Sequence, residues 1–374
     1  MKKTIYKYFF YQFVIYFTIT LFALAAIVWT IQAVNYLDLV TEDGHAFTTY
    51  FFYSLLTLSK VLTKLIPFSF LIAIILTILK FEKDNELLVL WTFGLNKIHL
   101  VNLIFRISIL IMFLQLLLTS VFNPTLLNFS RTLLKNSELQ FIPSLLKEKQ
   151  FNDAVEGLTI FVEKKDANNI YKNIFIRDEG TILSKIATTS STIYAKSGHM
   201  SKDEKNLILY NGNIQKLNQS GDINIVKFQK TILNLSGISS KSIKEPKVQE
   251  TPTVQILRCL FKNRVVKHNC NNSKKSQMDT KIEINKRFGM PIYILLIALV
   301  SCFLLTAGKD KKIFYFNKYI YFFICFLILA LAEMIVRYSG ISWNHTLIYY
   351  LIPVIMSPLI YFALIRTFKY ENLS

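Results

Sequence analysis

The sequence predicts an α-helical membrane protein with six transmembrane helices and an inserted all-β, jelly-roll-like domain. Three observations predict this. Long apolar runs dominate residues 1–122 and 288–370, and several reach the roughly 18 residues that a helix needs to cross a bilayer. Residues 123–287 are polar and lysine-rich, like a water-soluble domain. Within them, short alternating runs recur between glycines at about 8–12-residue spacing, the pattern of an all-β sandwich or jelly roll. The 374 residues, 52% of them hydrophobic, thus fall into an N-terminal membrane part (1–122), an insert (123–287) and a C-terminal membrane part (288–374).

Taken in order, Met1–Gln12 carries Lys2, Lys3 and Lys7 among aromatics and reads as an interfacial helix. Phe13–Val34 is the first span; it is longer than a signal-peptide core and no small-residue cleavage site follows. Asn35–Thr49 is a loop with Asp38, Glu42 and Asp43 and no Lys or Arg. The second span, Phe51–Leu79, contains Pro67, and the third is Ile98–Phe122. The fourth covers 288–307 around Pro291, the fifth is Tyr319–Tyr338 and the sixth Thr346–Ile365. A basic loop, Gly308–Lys318, precedes the fifth, and Ser339–His345, without Lys or Arg, precedes the sixth. The tail, Arg366–Ser374, holds Arg366 and Lys369.

Lysines and arginines of the short loops gather at both termini, in Phe81–Lys97 and in Gly308–Lys318. The positive-inside rule then places both ends in the cytoplasm and the insert outside, since long domains cross largely regardless of charge. Strands are expected at Leu158–Glu163, Ile170–Asp178, Ser191–Lys196, Asn206–Asn211, Asn213–Leu217 and Ile223–Leu235, with turns at Gly157, Gly180, Gly198, Gly212 and Gly221. Ser236–Pro252 reads as a linker. Val254–Asn263 and Gln277–Phe288 read as helices, the second running into the fourth span.

The stretch Phe81–Lys97 separates two spans but is too polar to be bilayer itself. A short helix is expected over 83–93, with Leu87, Leu90 and Trp91 at i, i+3 and i+4 forming one apolar face. Gly94 follows as its stop. Such a helix, on the side where lysines gather, suits a soluble partner; the alternative is that Leu87 and Trp91 anchor it in the interface.

Net charge is +19, but the lysines are scattered, with no basic stripe interleaved with aromatics and no nucleic-acid motif. Cys302 and Cys325 fall inside apolar runs; Cys259 and Cys270 are close enough in sequence to bridge, and whether they do is left open. The five histidines stand apart, with no HExxH, phosphate-binding loop or nucleophile-elbow motif. No catalytic residue, metal or cofactor is expected, so energy for any work comes from a partner.

Four features together resemble the LptF/LptG permease family. They are the opening YKYFFYQF; Asn85 to Leu90 followed by Gly94-Leu95-Asn96-Lys97, similar to its coupling-helix motif; the insert with GLTIFVEKKD, NIFIRD and ILYNG; and Glu283, Arg287 and Pro291, spaced as its E-x-x-x-R-x-x-x-P at the start of the fourth span. The insert looks more like the LptF branch. These permeases are membrane subunits of the ABC exporter that extracts lipopolysaccharide from the Gram-negative inner membrane.

The resemblance implies a second related, LptG-like permease, a cytoplasmic LptB-like ATPase dimer that binds the ATP, and periplasmic LptC/LptA-like bridge proteins. It implies that the insert lies in the periplasm, and that Glu86, with Leu87, Leu90 and Trp91, meets the ATPase. Lys60 and Lys64, four apart on the second span, either face lipopolysaccharide phosphates or reach out to headgroups and water. Where the family often has basic residues, at the outer end of the first span, this chain has Gln32, Asn35 and Asp38. Glu333 and Arg337, four apart, are expected to pair. Three other classes compete: a different lipid- or lipoprotein-extracting ABC permease, a glycolipid-modifying enzyme relying on Glu333, and an envelope scaffold without transport.

Overall fold

A computed structural model describes residues 2–41, 46–136, 146, 148–155, 157–166, 170–179, 190–201, 206–217, 222–234, 247–261, 274–306 and 311–371. Met1–Thr30, Thr57–Asn128 and Lys247–Ser374 make one compact unit; Ile31–Leu56 and Phe129–Pro246 make the other.

Among the described residues, six helices are long and apolar enough to cross a membrane. The first two are α1 (Lys2–Asn35) and α3 (Phe47–Lys83), with the short α2 (Asp38–Thr41) between them. After α4 (Glu86–Thr92), α5 (Lys97–Leu117) passes through a π-helical turn, Leu118–Phe122, into α6 (Asn123–Asn136). The third long helix therefore runs on past Phe122. Its extension is amphipathic, so the apolar run ends before the helix does.

A 3₁₀ turn at Val248–Glu250 leads to α7 (Thr253–Phe261). The fourth long helix is built of pieces: α8 (Lys274–Gly289), a 3₁₀ turn at Met290–Ile292, α9 (Tyr293–Ser301) and a 3₁₀ turn at Cys302–Leu305. Last come α10 (Lys311–Tyr338) and α11 (Trp343–Glu371). Because α10 begins at Lys311, Lys311, Lys312 and Lys318 lie on helical backbone; Gly308–Asp310 lie outside the described residues.

The core of this unit is aliphatic and aromatic. Phe9 and Phe13 of α1, Phe70, Ile74 and Phe81 of α3 and Ile104 of α5 are buried, with Phe13 edge-on to Phe70 at 5.6 Å. All of α9 except the half-buried Leu295 is buried. By contrast α1, α10 and α11 turn Phe22, Ile27, Phe323, Leu327, Leu351 and Leu359 outward, as a surface facing lipid or another apolar helix does. Cys302 and Cys325 are free and buried.

Four prolines inside these helices share one recurring arrangement. A helical proline has no N–H for the carbonyl four residues earlier, and a carbonyl left bare in an apolar bundle is costly. Pro67 frees the Thr63 carbonyl, and Gln115 Nε2 of α5 donates to it at 3.4 Å. Pro124 frees that of Ser120, which accepts from the Thr253 hydroxyl. Pro291 frees that of Arg287, which accepts from the Thr119 hydroxyl at 3.0 Å. Pro353 frees that of Tyr349, which accepts from the Tyr293 hydroxyl at 2.9 Å.

The second unit carries a six-stranded antiparallel sheet in the order β1 (Phe151–Val155), β2 (Leu158–Lys165), β3 (Ile170–Asp178), β4 (Ser191–Met200), β5 (Asn206–Leu217) and β6 (Ile223–Asn234). The all-β insert thus takes the form of one consecutive meander, without a Greek-key crossover among the described strands. Leu158, Ile160, Val162, Ile174, Ile176, Ile193, Leu207 and Leu209 build its core.

The inward face changes phase midway. In β3 it steps from Tyr171 to Ile174, and in β4 from Ala195 to Gly198, while the register (Ile174 opposite Ala195, Tyr171 opposite Gly198) stays continuous. Asn173 at φ 50 and Asn211 at φ 52 supply the backbone twist. Asn206–Asn211 and Asn213–Leu217, expected as two strands, are one strand. Gly212 is not a turn but a close approach: a Cβ there would stand 2.1 Å from the Tyr194 carbonyl oxygen. Gly180 and Gly221, expected as turns, lie outside the described residues.

Candidate functional site

Helix α4 is held at both ends. Asn85 precedes it at φ 55, and Gly94 follows at φ 74. Gly94 N–H bonds the Trp91 carbonyl at 3.0 Å and Leu95 N–H the Leu90 carbonyl at 3.1 Å, the paired bonds of a Schellman closure. The glycine stop read from sequence therefore has a geometric basis: the position requires a left-handed residue.

The i, i+3, i+4 stripe points inward. Leu87 is 2% exposed, and Leu90 and Trp91 pack half-buried on the same core. The Lys97 ammonium lies over the Trp91 ring at 5.8 Å and over Phe368 at 5.6 Å. This stripe fastens α4 to its own chain. The apolar side chains left open are Leu88, Val89 and Phe93. They were missed because a short helix with two apolar faces does not announce which one its own chain covers. Glu86 sits in the first turn and accepts a hydrogen bond from the Tyr8 hydroxyl at 3.2 Å. A groove of about 360 Å³ opens there, lined by Ile5, Tyr8, Phe81, Glu86, Val89 and Leu90 among others.

A second feature is a cavity of about 300 Å³ among α3, α5, α8 and α10, with charged side chains on an otherwise largely apolar wall. On its wall Arg287, 2% exposed, uses all of its donors. Nε bonds Glu283 at 3.0 Å; Nη1 bonds the Thr251 carbonyl at 3.0 Å and the Thr253 hydroxyl oxygen at 2.8 Å. Nη2 reaches the carbonyls of Gln249, 3.1 Å, and Val248, 3.4 Å. The expected Glu283, Arg287 and Pro291 spacing thus forms an i, i+4 ion pair whose guanidinium also gathers the segment before α7. Glu333 is paired not with Arg337 but with Lys286 of α8, at 3.0 Å. Arg337 is exposed, and Lys286 reaches the carboxylate from the neighbouring helix. Lys60, Lys64 and Pro67 line the same cavity.

Cys259 is disulfide-bonded; Cys270 lies outside the described residues. Among the described residues no cluster of His, Cys, Asp or Glu could hold a metal ion.

Six long apolar helices and an antiparallel sheet between the third and fourth define a multi-pass membrane protein with an inserted β domain. The family model described as lipopolysaccharide export system permease LptF/LptG matches residues 7–367, and the chain belongs to that family, one of transport subunits. It is also similar to uncharacterized protein RP871 of Rickettsia prowazekii (strain Madrid E), at 27% identity over 236 residues. That match spans 63% of this chain and 64% of the relative.

Proposed function

We propose that this chain is a permease subunit of an ATP-driven exporter that extracts lipopolysaccharide from the bacterial inner membrane and passes it by way of its periplasmic β domain toward the outer membrane. The LptF-like branch is favoured by the look of the insert. Both termini and α4 lie in the cytoplasm on this reading, by the lysine distribution of the short loops.

The observation that carries it is α4 itself. In a chain of this family, a seven-residue helix is locked in place by Leu87 and a Schellman closure, yet leaves Leu88, Val89 and Phe93 open beside Glu86. Exposed apolar side chains next to a carboxylate suit a groove with an arginine at its edge. We assign that groove to an LptB-like ATPase dimer, which binds and hydrolyses the ATP. The outward apolar faces of α1, α10 and α11 suit lipid and a second, LptG-like permease. The outer strand β6, with Ile223, Ile225 and Ile232 exposed, suits addition of an LptC/LptA-like bridge protein.

The test is affinity purification of the tagged full chain in mild detergent, with mass spectrometry of what accompanies it. A P-loop ATPase and a second permease of similar size are expected, and Glu86→Arg is expected to lose the ATPase while keeping the second permease. The chain alone across several detergents would overturn the proposal.

A further inference from the structure

The face of the sheet turned away from its core carries a row of aromatic side chains. Phe161 stands between buried Ile160 and Val162, Phe175 between buried Ile174 and Ile176, and Tyr194 between buried Ile193 and Ala195. Alternation therefore puts all three on the outer face. The register sets Phe151, Phe161, Phe175 and Tyr194 opposite one another across β1 to β4. The Phe151 ring lies 4.6 Å from that of Phe161 and 6.5 Å from that of Phe175. Phe151 is 70% exposed and Tyr194 41%. Exposed rings gathered into one row, rather than scattered singly, mark a binding surface.

Polar side chains flank the row on both sides. On one side Thr159, Arg177, Thr192 and Gln215 stand opposite one another across β2 to β5. On the other, the Tyr194 hydroxyl donates to Asn173 Oδ1 at 3.2 Å, and Asn173 Nδ2 donates to Glu163. Lys196, two residues on from Tyr194, is exposed. Past Tyr194 the row itself runs into Asn213 and Lys227. Arg177, Lys196 and Lys227 are exposed and make no ion pair among the described residues. The carboxylates Glu163 and Asp153 both have partners, so the open charge of this face is positive.

We propose that this outer face binds an acidic oligosaccharide, the carboxylate- or phosphate-bearing sugar part of a glycolipid. A sugar ring offers an apolar C–H face to stack on a phenyl ring and hydroxyls at its edge for hydrogen bonds, which matches a single aromatic row between two polar ones. Neighbouring rows on a sheet face stand about 7 Å apart. An apolar strip of that width is too narrow for the core of a protein interface, which takes about 800 Å² per partner. Three strand spacings make the row about 14 Å long, longer than one sugar ring. Arg177, Lys196 and Lys227 select an acidic occupant. The inference deepens the permease reading and rests on it for a glycolipid as the source of the sugar.

The test uses the purified full chain in mild detergent and titration calorimetry with three soluble probes: the acidic oligosaccharide released from lipopolysaccharide by mild acid, neutral maltotetraose and a hexaglutamate peptide. The acidic oligosaccharide is expected to bind at least about tenfold more tightly than either of the others. Phe151→Ala with Tyr194→Ala, both at exposed positions, is expected to weaken it at least about tenfold. Arg177→Gln with Lys196→Gln is expected to bring it down to the affinity of maltotetraose and to leave maltotetraose unchanged, a pattern that loss of the fold does not give. No binding of the acidic oligosaccharide, equal binding of hexaglutamate, or an affinity untouched by either pair of substitutions overturns the proposal. No readout depends on an ATPase or a second permease accompanying the chain, so failure here and failure of the permease reading are read separately.

Discussion

Tyr293 donates its hydroxyl to the carbonyl oxygen of Tyr349 at 2.9 Å, and that carbonyl is the one Pro353 leaves without a backbone donor. Both tyrosines are buried, so no water stands ready to replace the bond. Tyr293→Phe deletes only the hydroxyl and is expected to cost about 1–3 kcal/mol, the penalty of a buried acceptor left unmet. Pro353→Ala restores an N–H to the same carbonyl, so Tyr293→Phe should cost less in that background. Thermal unfolding of the four proteins in detergent gives the cycle; an equal cost in both backgrounds would show that the hydroxyl does not answer the proline.

Arg287 is the most heavily committed side chain of the cavity wall. Arg287→Met strands Glu283 and the carbonyls of Val248, Gln249 and Thr251, and should destabilise by about 3–5 kcal/mol. Arg287→Lys should not rescue it, since an ammonium lacks the planar fork that reaches these acceptors together. Glu333→Gln removes a half-exposed pair and should cost about 1 kcal/mol or less. The ranking is checked by thermal melting of each variant.

Gly94 tests the closure of α4. A Cβ there meets nothing within 4 Å, so the cost of Gly94→Ala is purely that of a positive φ, about 1–2 kcal/mol. Gly94→Asn should fall nearer the wild type, because asparagine tolerates that conformation. Hydrogen exchange of the Leu90–Leu95 amides reads the loosening directly.

In the sheet, the Lys172 ammonium stands 2.7 Å from Asp166. Its hydrogen bond holds the Asp166 carboxyl below the ordinary aspartate range. A folded pKa lower than the unfolded one stabilises above the unfolded value, and that contribution is lost as pH falls through the folded one. Lys172→Met should therefore raise the Asp166 pKa, read by NMR titration of the labelled carboxyl. An unmoved titration would assign the shift elsewhere.

Much of this was legible in the sequence because it is local. The six apolar runs and the stop at Gly94 each follow from residues within a few positions. What was not legible depends on distant chain. The stripe Leu87, Leu90 and Trp91 is apolar in sequence whether it faces a partner or its own core, and only the packed helices show that it joins the core. Glu333 has Arg337 one turn away, yet Lys286, remote in sequence, takes it. Phe151–Val155, FNDAV, lacks alternation and becomes a strand only by pairing with β2. Asn211-Gly212 reads as a hairpin turn, but β4 and β6 flank it continuously and turn it into mid-strand.

On the proposed function, α4 couples lipopolysaccharide movement to ATP hydrolysis in a partner subunit. The most direct measurement reconstitutes the co-purified complex in vesicles containing lipopolysaccharide and follows its release on ATP addition. ATP-dependent release is expected with the wild-type chain, and its loss with Glu86→Arg. Intact ATP hydrolysis by a complete complex, without lipopolysaccharide release, would contradict it.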